Sequence, residues 1–165
     1  MRASLAGNLS EAQQLLGASL PDGWPDCAGL LKLRLKQMEA DPAYEPWSLR
    51  AMVLRSERIM VGHFGFHTAP GAEYLEPYSP GAVEFGFTVF APFRRRGYAR
   101  EASLAMMQWA DEVHGIRKFV VSIRPDNVPS LALAAQLGFV QIGSHIDEVD
   151  GLEGIYELRR PRELP

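Results

Sequence analysis

The sequence predicts an α/β fold on a mixed sheet, and three observations predict it. Apolar runs at 47–54 and 59–66 are separated by the polar quartet Arg55-Ser56-Glu57-Arg58, the pattern of a strand hairpin. The strand–helix–strand passage over 83–123 is long enough for a right-handed crossover, which makes its two strands parallel. The 165 residues, 47% hydrophobic and 22% charged, suit one soluble domain around a single core.

Each element follows from local chemistry. Ser10-Glu11-Ala12-Gln13 has the spacing of a capping box, so a short helix is expected to start there. Leu20-Pro21-Asp22-Gly23-Trp24 is turn-rich. Pro25 then suits the first turn of a helix running to Ala40, where Asp41-Pro42 stops it. After the hairpin, 68–80 holds three prolines and a glycine and reads as a surface loop. Loops of that length in a compact domain are often functional. In the strand at 83–90, Val83, Phe85, Phe87 and Val89 take one face, and Glu84, Gly86 and Thr88 the other. A helix over 97–114 carries an apolar stripe of Tyr98, Ala102, Ala105, Met106, Trp109 and Val113. A strand at 117–123, a helix at 128–137 closed by Gly138, and strands at 139–149 and 153–159 complete the set. Residues 161–165 read as a frayed tail.

The bulk properties exclude several classes. A net charge of −3 has the wrong sign for a protein drawn to nucleic-acid phosphates. No apolar run approaches the roughly 20 residues of a membrane span. The N-terminus lacks a signal-peptide core, so a cytoplasmic protein with no membrane partner is expected. The single cysteine, Cys27, has no disulfide or metal-pair partner and reads as a semi-buried small residue. His63 and His67 stand four apart on a strand, without a third ligand, so no metal is expected. Both histidines are candidates to line an acceptor pocket, and Tyr74 and Tyr78 of the long loop are candidates to wall it.

The informative stretch runs from Val89 to Arg100. A strand ends, an arginine-rich turn follows, and Gly97-Tyr98-Ala99 opens a helix. A helix N-terminus offers unpaired N–H groups and the positive end of a dipole, which together capture anions. Gly97 removes a side chain where a phosphate would approach the backbone, and Ala99 keeps the second position small. Arg94, Arg95, Arg96 and Arg100 add positive charge to the same edge of an otherwise acidic chain. An ordinary solvated basic turn is the competing reading. The loop is neither a dinucleotide fingerprint nor a P-loop, because Gly-x-Gly-x-x-Gly and Gly-Lys-Ser/Thr are both absent from it.

This run resembles the Gln/Arg-x-x-Gly-x-Gly/Ala motif of the Gcn5-related N-acetyltransferases (GNAT), met by Arg94, Gly97 and Ala99. Asn127-Val128-Pro129-Ser130 followed by Leu137-Gly138-Phe139 resembles the family's Asn-x-x-Ser and Leu-Gly-Phe pattern. Glu84-Phe85-Gly86-Phe87 is similar to the Glu-x-Gly-Tyr/Phe strand of the ribosomal-protein N-terminal acetyltransferase-like branch. The matches cover 83–139, about a third of the chain. The resemblance implies a single GNAT domain over 1–165. Its fold would be a central, mostly antiparallel sheet with one splayed parallel strand pair, flanked by about four helices.

The resemblance also implies roles. The backbones of Phe87, Thr88 and Val89 would hold the pantetheine arm of acetyl-CoA, one N–H polarising the thioester carbonyl. The backbone N–H groups of Arg95, Arg96, Gly97, Tyr98, Ala99 and Arg100 would hold the pyrophosphate, with Arg94 beginning the motif. Asn127 would contact the cofactor arm; it is equally a good helix N-cap. Glu84 would be the base that takes a proton from the amine, directly or through water. Many members carry a Tyr seven residues after the motif Asn, where this chain has Ala134. Ser130 would then protonate the leaving thiolate or touch the cofactor, unless it is simply a first-turn serine. Some relatives place a base near the position of Ser122, which carries no carboxylate here. The expected partner is an amine acceptor, a protein N-terminus or a small molecule such as an antibiotic, acted on by a monomer or homodimer. A non-catalytic acyl-CoA-binding module is the reading from a different class.

Overall fold

Asn8, rather than Ser10, caps the first full helix. In the computed structural model, which describes residues 1–22 and 24–161, a one-turn helix α1 (Arg2–Leu5) precedes α2 (Leu9–Leu16). The Asn8 side chain accepts from Glu11 N–H at 3.2 Å and donates to Glu11 Oε2 at 2.9 Å. The capping box is therefore set two residues earlier than the Ser10 reading, because Asn satisfies the helix's orphan donors as well as Ser does. Gly23, and the expected tail beyond Pro161, lie outside the described residues.

Two units divide the chain, Met1–Gly65 with Phe87–Ala99, and Phe66–Gly86 with Arg100–Pro165. In the first unit a 3₁₀ turn, Trp24–Cys27, leads into α3 (Ala28–Ala40). A second 3₁₀ turn, Pro42–Trp47, follows under the cap of Asp41, whose side chain accepts from Ala43 N–H at 3.0 Å. Trp47 is thus a buried anchor in a helical turn, where apolarity alone suggested the start of a strand. Strands β1 (Arg50–Leu54) and β2 (Ile59–Phe66) pair antiparallel, with Leu54 opposite Ile59 across the expected turn. Trp24, Leu31 and Met60 form the centre of this unit's core, packed by Leu5, Leu16, Leu20, Cys27, Leu49 and Phe90.

In the second unit, β3 (Val83–Val89) begins and pairs parallel with β4 (Lys118–Ile123). Helix α4 (Tyr98–His114) lies between those strands in sequence, and α5 (Val128–Leu137) follows them. Strand β6 (Gly151–Arg159) runs antiparallel to β4 and to β5 (Val140–Asp147). The strand order β1-β2-β3-β4-β6-β5 makes a mostly antiparallel sheet with one parallel pair. That pair is brief. Val83 faces Phe119 and Glu84 faces Val120, and the ladder then stops although both strands continue. The one parallel pair implied by the family resemblance is present.

The buried line of α4 is Ser103, Met107 and Ala110, whereas Ala105 and Val113 of the expected stripe are exposed. Small residues at i and i+7 let the helix approach closely, which a count of large apolar side chains does not detect. Phe85 packs edge-on against Phe66 and Phe139, with ring centroids 6.1 and 6.0 Å apart. Among the described residues, no helix is long and apolar enough to cross a membrane.

The long loop is anchored. It contains a 3₁₀ turn, Glu73–Leu75, whose Leu75 packs with Ala82, Val120 and Ile155. The Ser79 hydroxyl donates to the buried Glu157, and Lys118 Nζ donates to the Pro80 carbonyl at 2.8 Å.

Candidate active site

The turn after β3 belongs to the first unit as far as Ala99. A 3₁₀ turn, Ala91–Phe93, ends the strand, with Pro92 in its first turn. Arg94 Nε donates to the Val89 carbonyl at 3.0 Å, tying the turn back to the strand end. Arg95 and Gly97 then adopt left-handed backbones, with φ of 61° and 84°. For Gly97 this costs nothing; for Arg95 it costs about 1 kcal/mol. Left-handed residues alternating with ordinary ones aim successive N–H groups into one concavity, a nest for an anion. A Cβ on Gly97 would meet no atom of the protein within 4 Å, so the space above its backbone is open. Arg94, Arg95, Arg96 and Arg100 are all solvent-exposed, and Arg96 rests 6.0 Å from the centroid of the Phe93 ring. The residues present therefore fit a pyrophosphate: donors from the backbone, mobile positive charge around them, and no side chain in the way.

The second unit holds a buried carboxylate. Glu84 points away from the apolar face of β3, as the strand alternation predicts, yet it is only 5% exposed. Its Oε2 accepts from the Tyr74 hydroxyl at 2.8 Å and stands 3.3 Å from Nδ1 of His67. Burial pushes the Glu84 carboxyl upward, but the neighbouring His67, with the polar Ser122 of β4 and the Tyr74 hydroxyl, outweighs it and holds the group down at about 2. Glu84 is a fixed anion. The space beside Gly86 is taken by the imidazole: a Cβ there would fall 2.9 Å from His67 Nε2.

At the start of α5, Asn127 is the N-cap, its side chain accepting from Ser130 N–H at 3.3 Å. Asn127 is exposed and Ser130 half-buried, both open to further contacts. Gly138 ends the helix with φ of 89°, as its position in the Leu-Gly-Phe triplet suggested. Thus Glu84 is brought together with His67, Tyr74 and Ser122, while Asn127 and Ser130 pair with each other. The sequence placed His67 and Tyr74 only in a general acceptor pocket. Their convergence on Glu84 comes from register, since the His67 N–H donates to the Glu84 carbonyl at 2.8 Å. The polar Ser122 in an otherwise apolar β4 run was the one local signal of a partner for that carboxylate.

Known proteins share the family and the fold of this chain. Residues 11–140 match the acetyltransferase (GNAT) domain family, a span that crosses both units. The uncharacterized N-acetyltransferase YnaD of Bacillus subtilis (strain 168) is 23% identical over 92 residues, covering 56% of this chain and 49% of that protein. The chain spans about half the length of the curated relatives it matches. Among solved structures, the ribosomal-protein-S5-alanine acetyltransferase of Vibrio fischeri shares the fold with a TM-score of 0.61 at 16% identity, covering 88% of this chain and 75% of that one. The microcin C7 self-immunity acetyltransferase MccE, solved with acetyl-CoA and AMP, shares it with a TM-score of 0.59 at 16% identity, covering 96% and 87%. With one parallel strand pair in a mostly antiparallel sheet and a family match over most of its length, the chain belongs to the GNAT acetyltransferase family.

Proposed function

We propose that this protein is an N-acetyltransferase that moves acetyl from acetyl-CoA to an amine by direct attack. The observation that carries the reading is the nest at Arg95–Gly97, a strained backbone with an open face at the start of a helix. Arg58 in the β1–β2 turn has a similar backbone, so it is the pairing of Arg95 with Gly97 at a helix start that points to a ligand. The N–H groups of Arg95, Arg96, Gly97, Tyr98, Ala99 and Arg100 would bind the pyrophosphate. The backbones of Phe87, Thr88 and Val89 would hold the pantetheine arm, Val89 through its N–H, because its carbonyl serves Arg94. Asn127 and Ser130 would meet the arm from α5, and Ser130 would supply a proton to the departing thiolate. Acetyl-CoA, when bound, supplies the activated acetyl group. The amine arrives as an ammonium and must lose a proton before attack, and the Glu84 centre is where this chain would take it. The family match across both units supports reading 1–165 as one catalytic domain.

The acceptor we favour is a protein N-terminus, on the strength of the Glu84-Phe85-Gly86-Phe87 strand. A small amine or antibiotic is the alternative, and a non-catalytic acyl-CoA-binding module is the other class. Release of free CoA against a panel of N-terminal peptides, aminoglycosides and simple amines tests all three. Peptide-dependent release with a new N-acetyl group by mass spectrometry is expected. Release with small amines alone would move the acceptor class, and tight acetyl-CoA binding without any turnover would leave a binding module.

A further inference from the structure

We infer that His67 is the residue that accepts the amine proton, at Nε2, and that Glu84 is a positioning residue acting through it. The inference rests on the N-acetyltransferase reading and changes which side chain performs its first step. Three features of the second unit carry it.

The first is access. The side chain of Glu84 is 6% exposed and that of His67 is 38% exposed, so the imidazole is the part of the pair that a substrate can reach. The second is orientation. Nδ1 is the ring nitrogen turned to the carboxylate, 3.3 Å from Glu84 Oε2, an approach that favours the proton on Nδ1 and leaves the lone pair to Nε2. A buried carboxylate behind an imidazole fixes both the ring angle and the tautomer, and stabilises the cation that forms when the proton arrives. The third is space. Nε2 lies directly over Gly86, where any side chain would force the ring aside.

Glu84 itself is poorly suited to the task. Its Oε2 already accepts from the Tyr74 hydroxyl and faces Nδ1 of His67. A carboxyl held near 2 is a weak acceptor for a proton from an ammonium. The other charges near the pair come from the β5–β6 hairpin: Asp147 and Glu153 both interact with Glu84 at longer range, and His145 Nε2 is 3.6 Å from Glu153 Oε2.

The step balances as follows. The substrate ammonium gives one proton to His67 Nε2, which passes it to solvent. The freed amine nitrogen attacks the thioester carbonyl carbon; the C–N bond forms and the C–S bond breaks. The second nitrogen proton is lost as the amide forms and replaces the one that the Ser130 hydroxyl gives to the CoA thiolate.

The test uses the full chain with an acceptor that the panel identifies. If no amine is acetylated, the N-acetyltransferase reading fails before His67 is reached. Given turnover, His67→Gln is expected to lower kcat by about 100-fold with acetyl-CoA affinity held by calorimetry, and added imidazole is expected to restore part of the rate of His67→Ala. Glu84→Gln should lower kcat less and move the acid limb of kcat/KM. A His67→Gln enzyme with full rate and the wild-type pH profile overturns the inference. So does Glu84→Gln losing all activity while His67→Gln keeps it. The wild-type protein gives a check that needs no variant: the His67 ring titration by NMR must coincide with the acid limb of kcat/KM, and a mismatch overturns the inference.

Discussion

A Cβ placed on Gly86 would stand 2.9 Å from Nε2 of His67, closer than real side-chain contacts. The neighbour is the outer edge of an imidazole ring, so the ring rather than the backbone would yield. Gly86→Ala is therefore expected to leave the fold intact, with a melting temperature within a few degrees of wild type, while kcat falls about tenfold or more because Nε2 is turned from its position. Circular dichroism and steady-state kinetics on the same preparation check both parts. An alanine variant at full rate would show that the position of the ring does not matter.

Gly97 separates strain from charge. Its φ of 84° disfavours every side chain, so Gly97→Ala and Gly97→Glu should each lose about 1 kcal/mol of stability in urea. They should differ in ligand binding. No protein atom lies within 4 Å of the added Cβ, so the alanine variant should still bind acetyl-CoA, more weakly. The glutamate variant should show no binding by calorimetry, because it brings a carboxylate to the proposed phosphates. Equal affinity in both variants and wild type would remove the turn from the binding site.

Stability at low pH should depend on Glu84. Its carboxyl is depressed from an ordinary 4.5 to about 2 in the folded protein. The unfolded chain then binds the proton more readily, so this contribution is complete above about pH 4.5 and disappears as pH falls through about 2. Urea unfolding across that window should show the loss in wild type and a flatter profile in Glu84→Gln. Tyr74→Phe, which removes one donor, should raise the carboxyl and lower stability at neutral pH by about 1–2 kcal/mol.

The cap at Asn8 gives a test of the fold alone. Asn8→Ala should cost about 1 kcal/mol, and Ser10→Ala, which removes no cap, less than half of that. Equal effects would restore the capping register that the sequence suggested.

Much of this architecture was legible before any coordinates. Strand β2, helix α5 and the parallel β3–β4 pair follow from periodicity and crossover length, and they sit where expected. Trp47 did not, because an indole anchors a helical turn as readily as a strand and only the Asp41 cap decides between them. Glu84 and Gly86 were visible on one strand face, yet the meaning of the glycine was not. Its missing side chain makes room for His67, a residue brought alongside by register across a loop whose path the sequence does not encode in any local pattern. The composition of the turn at 94–100 marked it as a candidate anion site. That Arg95 would share the left-handed backbone of Gly97 was not legible, since nothing in an arginine favours it.

The anchoring of the long loop has a further consequence. A stretch with three prolines and a glycine would seem an easy place for a protease to cut. Yet the N–H groups of Leu75, Glu76, Tyr78, Ser79 and Ala82 are bonded within it, and its end is fastened through Ser79 to Glu157 and through Pro80 to Lys118. Cleavage needs an extended strand, which this segment yields only after those bonds open. Residues 72–82 should therefore be nicked only as fast as these bonds open, and the tyrosine that braces Glu84 would be lost only with them.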